Sequence, residues 1–201
     1  GDVYKRQDNK YANYKIKSLD PNLVIDTILP PDNIVGSVVY PACEIVKAGT
    51  IKHIAGNRFS LGEPEGSESD RLKFISEILK RAGFRAPIQK NIRDEIWLKL
   101  IGNLSFNPIS ALTGATLEQI CNDQGTEAIV RAMMTEAKII AEELGAKINM
   151  SIEKRIEGAR KVGAHKTSML QDIEAGKPIE IDSIIIAVKE LGELTCSPTP
   201  Y

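Results

Sequence analysis

The sequence predicts an α+β chain that is mainly helical, with a few short strands first and an all-helical segment after them. Two observations predict this class. Residues 34–61 are rich in β-branched residues and are punctuated by Pro41, Gly49 and Gly56, whereas from Ser67 onward the apolar residues recur at helical spacing. The strands are too few and too short to be stable alone, so they read as the edge of a larger sheet.

In chain order, Gly1 to Gln7 carry no initiator Met and no period, and read as a non-native leader. Ile34 to Tyr40, Cys43 to Val46, Thr50 to Ile54 and Arg58 to Leu61 are the strand candidates, with Gly62 closing the last. Ser67-Glu68-Ser69-Asp70 offers a cap and an acidic first turn for a helix carrying Leu72, Ile75, Ile78 and Leu79, which Gly83 stops. Residues 91–106 make a second helix with Ile96, Leu98, Leu100, Ile101 and Leu104, and Pro108 is placed near the start of another short turn or helix. A third runs from Gly125 to Gly145, with Ile129, Met133, Ala137, Ile140 and Leu144 on one stripe and Gly145 as the residue after the cap. Ser151 caps the next, and Thr167 the one that stops at Gly176-Lys177-Pro178. The last begins near Glu180 and carries Ile184, Ile185, Val188, Leu191 and Leu194. The expected division is therefore 1–7 leader, 8–65 remnant of a strand-bearing domain, and 66–201 all-helical domain. The sequence closes at Ser197-Pro198-Thr199-Pro200-Tyr201 directly after a helix, so both ends read as cut.

Composition excludes several functions. With 26 basic and 27 acidic residues the net charge is −1, so no long-range field draws nucleic acid or an anionic membrane. Cys43, Cys121 and Cys196 are odd in number and far apart, and His53 and His165 are the only imidazoles, which argues against a metal site and against a disulfide framework. Reduced cysteines place the chain in the cytoplasm. No apolar run reaches the ~20 residues that span a bilayer.

The stretch from Glu95 to Pro108 is the most informative. Lys99, Asn103 and Asn107 stand at i, i+4 and i+8. Each step of four overshoots a turn by only ~40°, so the three share one face, among Trp97, Leu98, Leu100, Ile101, Leu104 and Phe106. A lysine and two carboxamides on such a helix need a polar partner if they are buried. Spacing alone leaves open that they are solvated or bond to backbone ends. A second stretch runs from His165 to Asp182, where Thr167 or Ser168 and then Glu180 and Asp182 can cap or stabilise helix starts. Spacing does not bring it to Lys99.

Three runs carry a resemblance: DEIWLKLIGNLSFNPISALTGATLEQI, KVGAHKTSMLQDIEAGKPIEID and the weaker ELTCSPTP, preceded by GSVVYPACEIVKAGTIKH. Over about residues 28–200 the chain resembles the C-terminal part of the ketopantoate reductase (2-dehydropantoate 2-reductase) family. The resemblance implies an all-α C-terminal dehydrogenase domain preceded by the last strands of a truncated Rossmann-type domain. It also implies NADPH-dependent reduction of ketopantoate to pantoate. By that resemblance Lys99 matches the catalytic lysine and Glu180 the catalytic-site glutamate. Asn103 and Asn107 match substrate-contacting asparagines, and Ser168 the serine that meets the substrate carboxylate. A lysine ammonium suits the chemistry, because charge grows on the ketone oxygen as hydride arrives. Glu180 either orients Lys99 or meets the substrate hydroxyl; the sequence leaves both open.

Two departures stand out. Cys196 occupies a place where the family usually has glycine, and no GxGxxG exists anywhere in the chain, so no cofactor-binding residues are assigned. The chain by itself is expected to be poorly soluble and to lack steady-state reductase activity. Its partner is expected to be a small 2-keto acid, with a homodimer as an allowed assembly. The alternatives are a related reductase of another small 2-keto acid and a non-catalytic helical interaction module, which an unpaired strand edge would suit.

Overall fold

The structure, a computed structural model, describes Tyr11 and residues 14–201, and the expected leader at 1–7 lies outside the described residues. The strand region contains β1 (Gly36–Val39), β2 (Ala42–Lys47), β3 (Thr50–Ala55) and β4 (Phe59–Gly62). They form two antiparallel ribbons rather than one sheet edge: β1 pairs with β4, from Gly36 opposite Gly62 to Val39 opposite Phe59, and β2 pairs with β3. The reason is local. Gly49, at φ 74, turns β2 straight back on β3, and this hairpin keeps both faces in solvent, with Ile45 81% and Ile51 70% exposed. The β1–β4 ribbon instead buries Gly36 and Val38 of β1 and Ser60 to Gly62 of β4, and parallel bridges from Arg58 to Arg85 and from Leu61 to Ile88 extend it.

Ahead of the strands lie a short helix, α1 (Val24–Ile28), and a 3₁₀ turn at Pro31–Asn33, neither of which the sequence pattern announces. The chain before α1 is held to the far end of the protein. Ile16 is 1% exposed in the main core, and the Glu190 carboxylate accepts bonds from the Tyr14 hydroxyl (2.8 Å), the Lys17 and Ser18 amides (2.7 and 3.0 Å) and the Ser18 hydroxyl (2.9 Å). Burial pushes this carboxyl up, but the bonds from Ser18, Lys17 and Tyr14 outweigh it and hold it below the ordinary carboxylate range. A depressed acid contributes stability above its unfolded value and loses it as the pH falls through its folded value. Glu190→Gln is therefore expected to release residues 14–20. Limited proteolysis should cleave there severalfold faster at neutral pH, with the wild-type chain approaching the variant only under acid conditions.

Helix α2 (Asp70–Arg81) is capped by Ser69, whose hydroxyl accepts from the Leu72 amide at 3.2 Å. Its Leu72 packs with Leu61 and Ala86 in a small cluster separate from the main core. The main core is built around α3 (Ile92–Thr113), which buries side chains on most of its circumference. Pro108, expected to open a new element, sits inside this helix. An interior proline costs ~3 kcal/mol. Here the burial of Leu104, Phe106, Ile109 and Ser110 on both sides of it offsets that cost and keeps the helix running to Gly114, which ends it at φ 69.

The rest of the bundle follows the caps. Thr116 and Gln119 form a capping box for α4 (Leu117–Asn122), a helix the sequence analysis did not assign. Asp123 caps α5 (Gln124–Glu143), Ser151 caps α6 (Ile152–Val162) and Thr167 caps α7 (Ser168–Glu174). The expected last helix does follow Glu180, but it opens with a π-helical turn at Asp182–Ile186 before α8 (Ala187–Thr195). Cys196 ends α8 in the left-handed conformation at φ 56. A residue with a Cβ pays roughly 1–2 kcal/mol there, which is the physical basis for glycine at this place. Trp97, Met134, Ile140, Leu144, Ile156 and Leu191 are each no more than 2% exposed and join α3, α5, α6 and α8.

Candidate functional site

Helix α3 presents Lys99, Asn103 and Asn107 along one face, as their spacing predicts, and that face lines an open cavity of about 550 Å³. The opposite wall comes from α6 and from the turn into α7. Thr167 accepts the Leu170 amide and so fixes the start of α7, which places Ser168 beside Thr167 and His165 on the cavity wall. Three of the four cavity residues assigned by resemblance thus lie on one helix, and Ser168 reaches them through the tertiary fold. The wall carries Lys99, Lys154 and Arg155 and no aspartate or glutamate. Among the described residues neither the Asn103 nor the Asn107 carboxamide has a hydrogen-bond partner, although Asn107 is only 5% exposed. Unpaired polar side chains converging on one cavity mark a place for a polar ligand.

Lys99 is half-buried, and its ammonium donates to the Val39 carbonyl at 2.6 Å and stands 6.0 Å from the centre of the Tyr40 ring. Burial lowers its pKa, and the negative charge of Glu180 acts in the opposite direction. Glu180 is not among the residues that line the cavity, and it forms no ion pair with Lys99 among the described residues. Its influence on the lysine is through space.

A network that sequence reasoning did not find ties the strands to this helix. The Tyr40 hydroxyl donates to Glu95 at 2.8 Å, Arg58 pairs with the same carboxylate at 3.0 Å, and the Ser60 hydroxyl donates to it at 3.1 Å. Burial, followed by the Glu95 contact, pushes the Tyr40 phenol up to about 12, so it stays neutral. Arg58 lies 5.2 Å from the centre of the Tyr40 ring. Glu95 belongs to the DEIWLK run, but nothing in the spacing of Tyr40, Arg58 and Ser60 announces that they meet it.

Among the described residues no three His, Cys, Asp or Glu side chains cluster as metal ligands, and no helix is long and apolar enough to cross a membrane. Cys43 and Cys196 are exposed and Cys121 is buried, all three as free thiols.

The family model described as "Ketopantoate reductase PanE/ApbA C terminal" matches residues 91–201, the stretch that holds the whole cavity wall. The chain belongs to the ketopantoate reductase family. It is 52% identical over 186 residues to a 2-dehydropantoate 2-reductase of Mesorhizobium japonicum, covering 92% of this chain and 57% of that relative. A candidate ketopantoate reductase from Ralstonia solanacearum MolK2, solved by crystallography, superimposes with a TM-score of 0.91 at 39% identity, over 96% of this chain and 59% of its own. A D-mandelate dehydrogenase solved with NADH and anilino(oxo)acetate shares the fold, with a TM-score of 0.78 at 20% identity over 88% of this chain and 59% of its own. The chain therefore spans somewhat more than half the length of the proteins it matches. Family membership agrees with the fold that the sequence motifs implied, a helical C-terminal region preceded by a few strands.

Proposed function

We propose that this chain is the substrate-binding and proton-donating part of a cytoplasmic NADPH-dependent reductase that converts ketopantoate to pantoate, a step of pantothenate and coenzyme A biosynthesis. The observation that carries the proposal is a cavity walled by three cationic side chains and no acid, into which two unpaired carboxamides and a serine converge. In this reading Lys99 delivers the proton to the ketone oxygen, Asn103 and Asn107 hold the keto and hydroxyl groups, and Ser168 meets the carboxylate. Glu180 keeps Lys99 charged through its field. Residues 66–201 serve as the substrate unit, residues 8–65 lead into it, and the homodimer is retained as part of the proposal. NADPH supplies the hydride. The residues present do not form a dinucleotide cradle, since no GxGxxG turn exists in the sequence, so the chain's own roles are binding, orientation and proton delivery.

The test is NADPH oxidation with ketopantoate, using this chain beside a version joined to a nucleotide-binding half. Turnover confined to the joined protein supports the reading. Equal rates on several short 2-keto acids would replace ketopantoate with a broader substrate class, and no turnover on any would leave the helical interaction module.

The alkaline side of the pH profile offers a sharper check. Because burial lowers the Lys99 pKa in the free protein, the lysine loses its proton below its ordinary value of 10.5, and kcat/KM falls as the acid form disappears. Glu180 raises that value, so Glu180→Gln is expected to move the alkaline limb to lower pH. A limb that stays in place would remove Glu180 from any role through Lys99.

A further inference from the structure

Arg155 stands on α6, and its guanidinium lies directly over Gly102 of α3. A Cβ on Gly102 would collide with Nη2 and come within 2.9 Å of both Cζ and Nε, so the guanidinium occupies space that only glycine leaves free. Both residues line the same cavity as Lys99, Asn103 and Ser168. The other half-buried arginines, Arg58, Arg131 and Arg160, each form an ion pair with a glutamate. Among the described residues the Arg155 guanidinium has neither an ion pair nor a hydrogen bond, and the Tyr40 phenol that feels its charge is neutral. Burial pulls the guanidinium down, yet arginine stays charged at any working pH. Arg155 is partly buried without an anion beside it, and its guanidinium faces an open cavity with no acid on its wall.

We propose that Arg155 is a specificity-determining residue that supplies the counter-charge for the carboxylate of the substrate, seated by Gly102 and assisted by the neutral hydroxyl of Ser168. The assignment rests on the keto-acid reading above. The planar fork of a guanidinium matches a carboxylate with two parallel bonds, which a lone serine cannot do. The pocket would then select 2-keto acids over neutral ketones of the same shape by charge.

The test is a calorimetric titration of the protein joined to a nucleotide-binding half, with ketopantoate and with its neutral lactone, ketopantolactone. Arg155→Gln is expected to weaken ketopantoate binding on the order of tenfold to a hundredfold, as for a lost charged hydrogen bond, and to leave the lactone unchanged. Gly102→Ala, which keeps the arginine but evicts its guanidinium, should act in the same direction, and Arg155→Lys should recover part of the loss. Equal ketopantoate affinity in the wild type and Arg155→Gln would overturn the assignment alone. Parallel weakening of acid and lactone would also overturn it, since that pattern means a structural role. A wild-type chain that takes inorganic phosphate through Arg155 and no keto acid would sink the keto-acid reading and the carboxylate assignment together.

Discussion

Lys99→Ala, in a protein that carries a nucleotide-binding half, is expected to lower kcat by a hundredfold or more, on the order expected for loss of a general acid. The physical reason is the position of the ammonium. It is half-buried, its one hydrogen bond among the described residues goes to the Val39 carbonyl, and it faces a cavity that holds no other proton donor on α3 except carboxamides. Losing it also removes a cation from the wall, so KM for ketopantoate should rise while the fold persists. Steady-state kinetics with ketopantoate measures both, and circular dichroism checks the fold. A fall of less than about threefold would return Lys99 to a structural role, bonding the end of β1 to α3.

Trp97→Ala is expected to destabilise the protein by about 3–5 kcal/mol, the range for deleting a large buried aromatic. Trp97 is 0% exposed, sits two residues before Lys99 on the same helix, and belongs to the core that joins α3 to α5 and α8. The cavity it would leave cannot close without moving the helix that carries the site. Urea denaturation followed by circular dichroism should show a lower midpoint with an unchanged slope. Trp97→Phe, which restores much of the volume, should recover most of the loss. If alanine costs less than about 1 kcal/mol, α3 is not the packing centre described above.

The two substitutions act on opposite faces of one helix, and the sequence resolves those faces unequally. Lys99, Asn103 and Asn107 were legible as a row because helical spacing is a local property, fixed by 3.6 residues per turn. The caps were legible for the same reason: Ser69, Ser151 and Thr167 each bond an amide three residues on. Glu95 was in plain sight, but its partners Tyr40, Arg58 and Ser60 were not. A carboxylate's partners on another element are chosen by packing, which leaves no period in the sequence.

Local signals were also misleading where long-range packing opposed them. Pro108 reads as a helix start, yet the burial around it carries α3 onward to Thr113. Glu180 and Asp182 read as the opening of an ordinary helix, and the chain instead widens into a π turn. Residues 34–61 read as one sheet edge, whereas β2 and β3 pair only with each other.

What the sequence by itself determined is the passage from short strands to helices, the caps at Ser69, Ser151 and Thr167, and, through its motifs, the family and the candidate lysine. These depend on neighbours a few residues apart. Only the tertiary structure decided that Ser168 shares a cavity with Lys99, that Glu180 is not part of the wall of that cavity, and that the Arg155 guanidinium rests over Gly102 without an ion pair among the described residues. Those facts join positions more than fifty residues apart in every case. They follow from which surfaces the core brings together, and burial then sets what each charge can do.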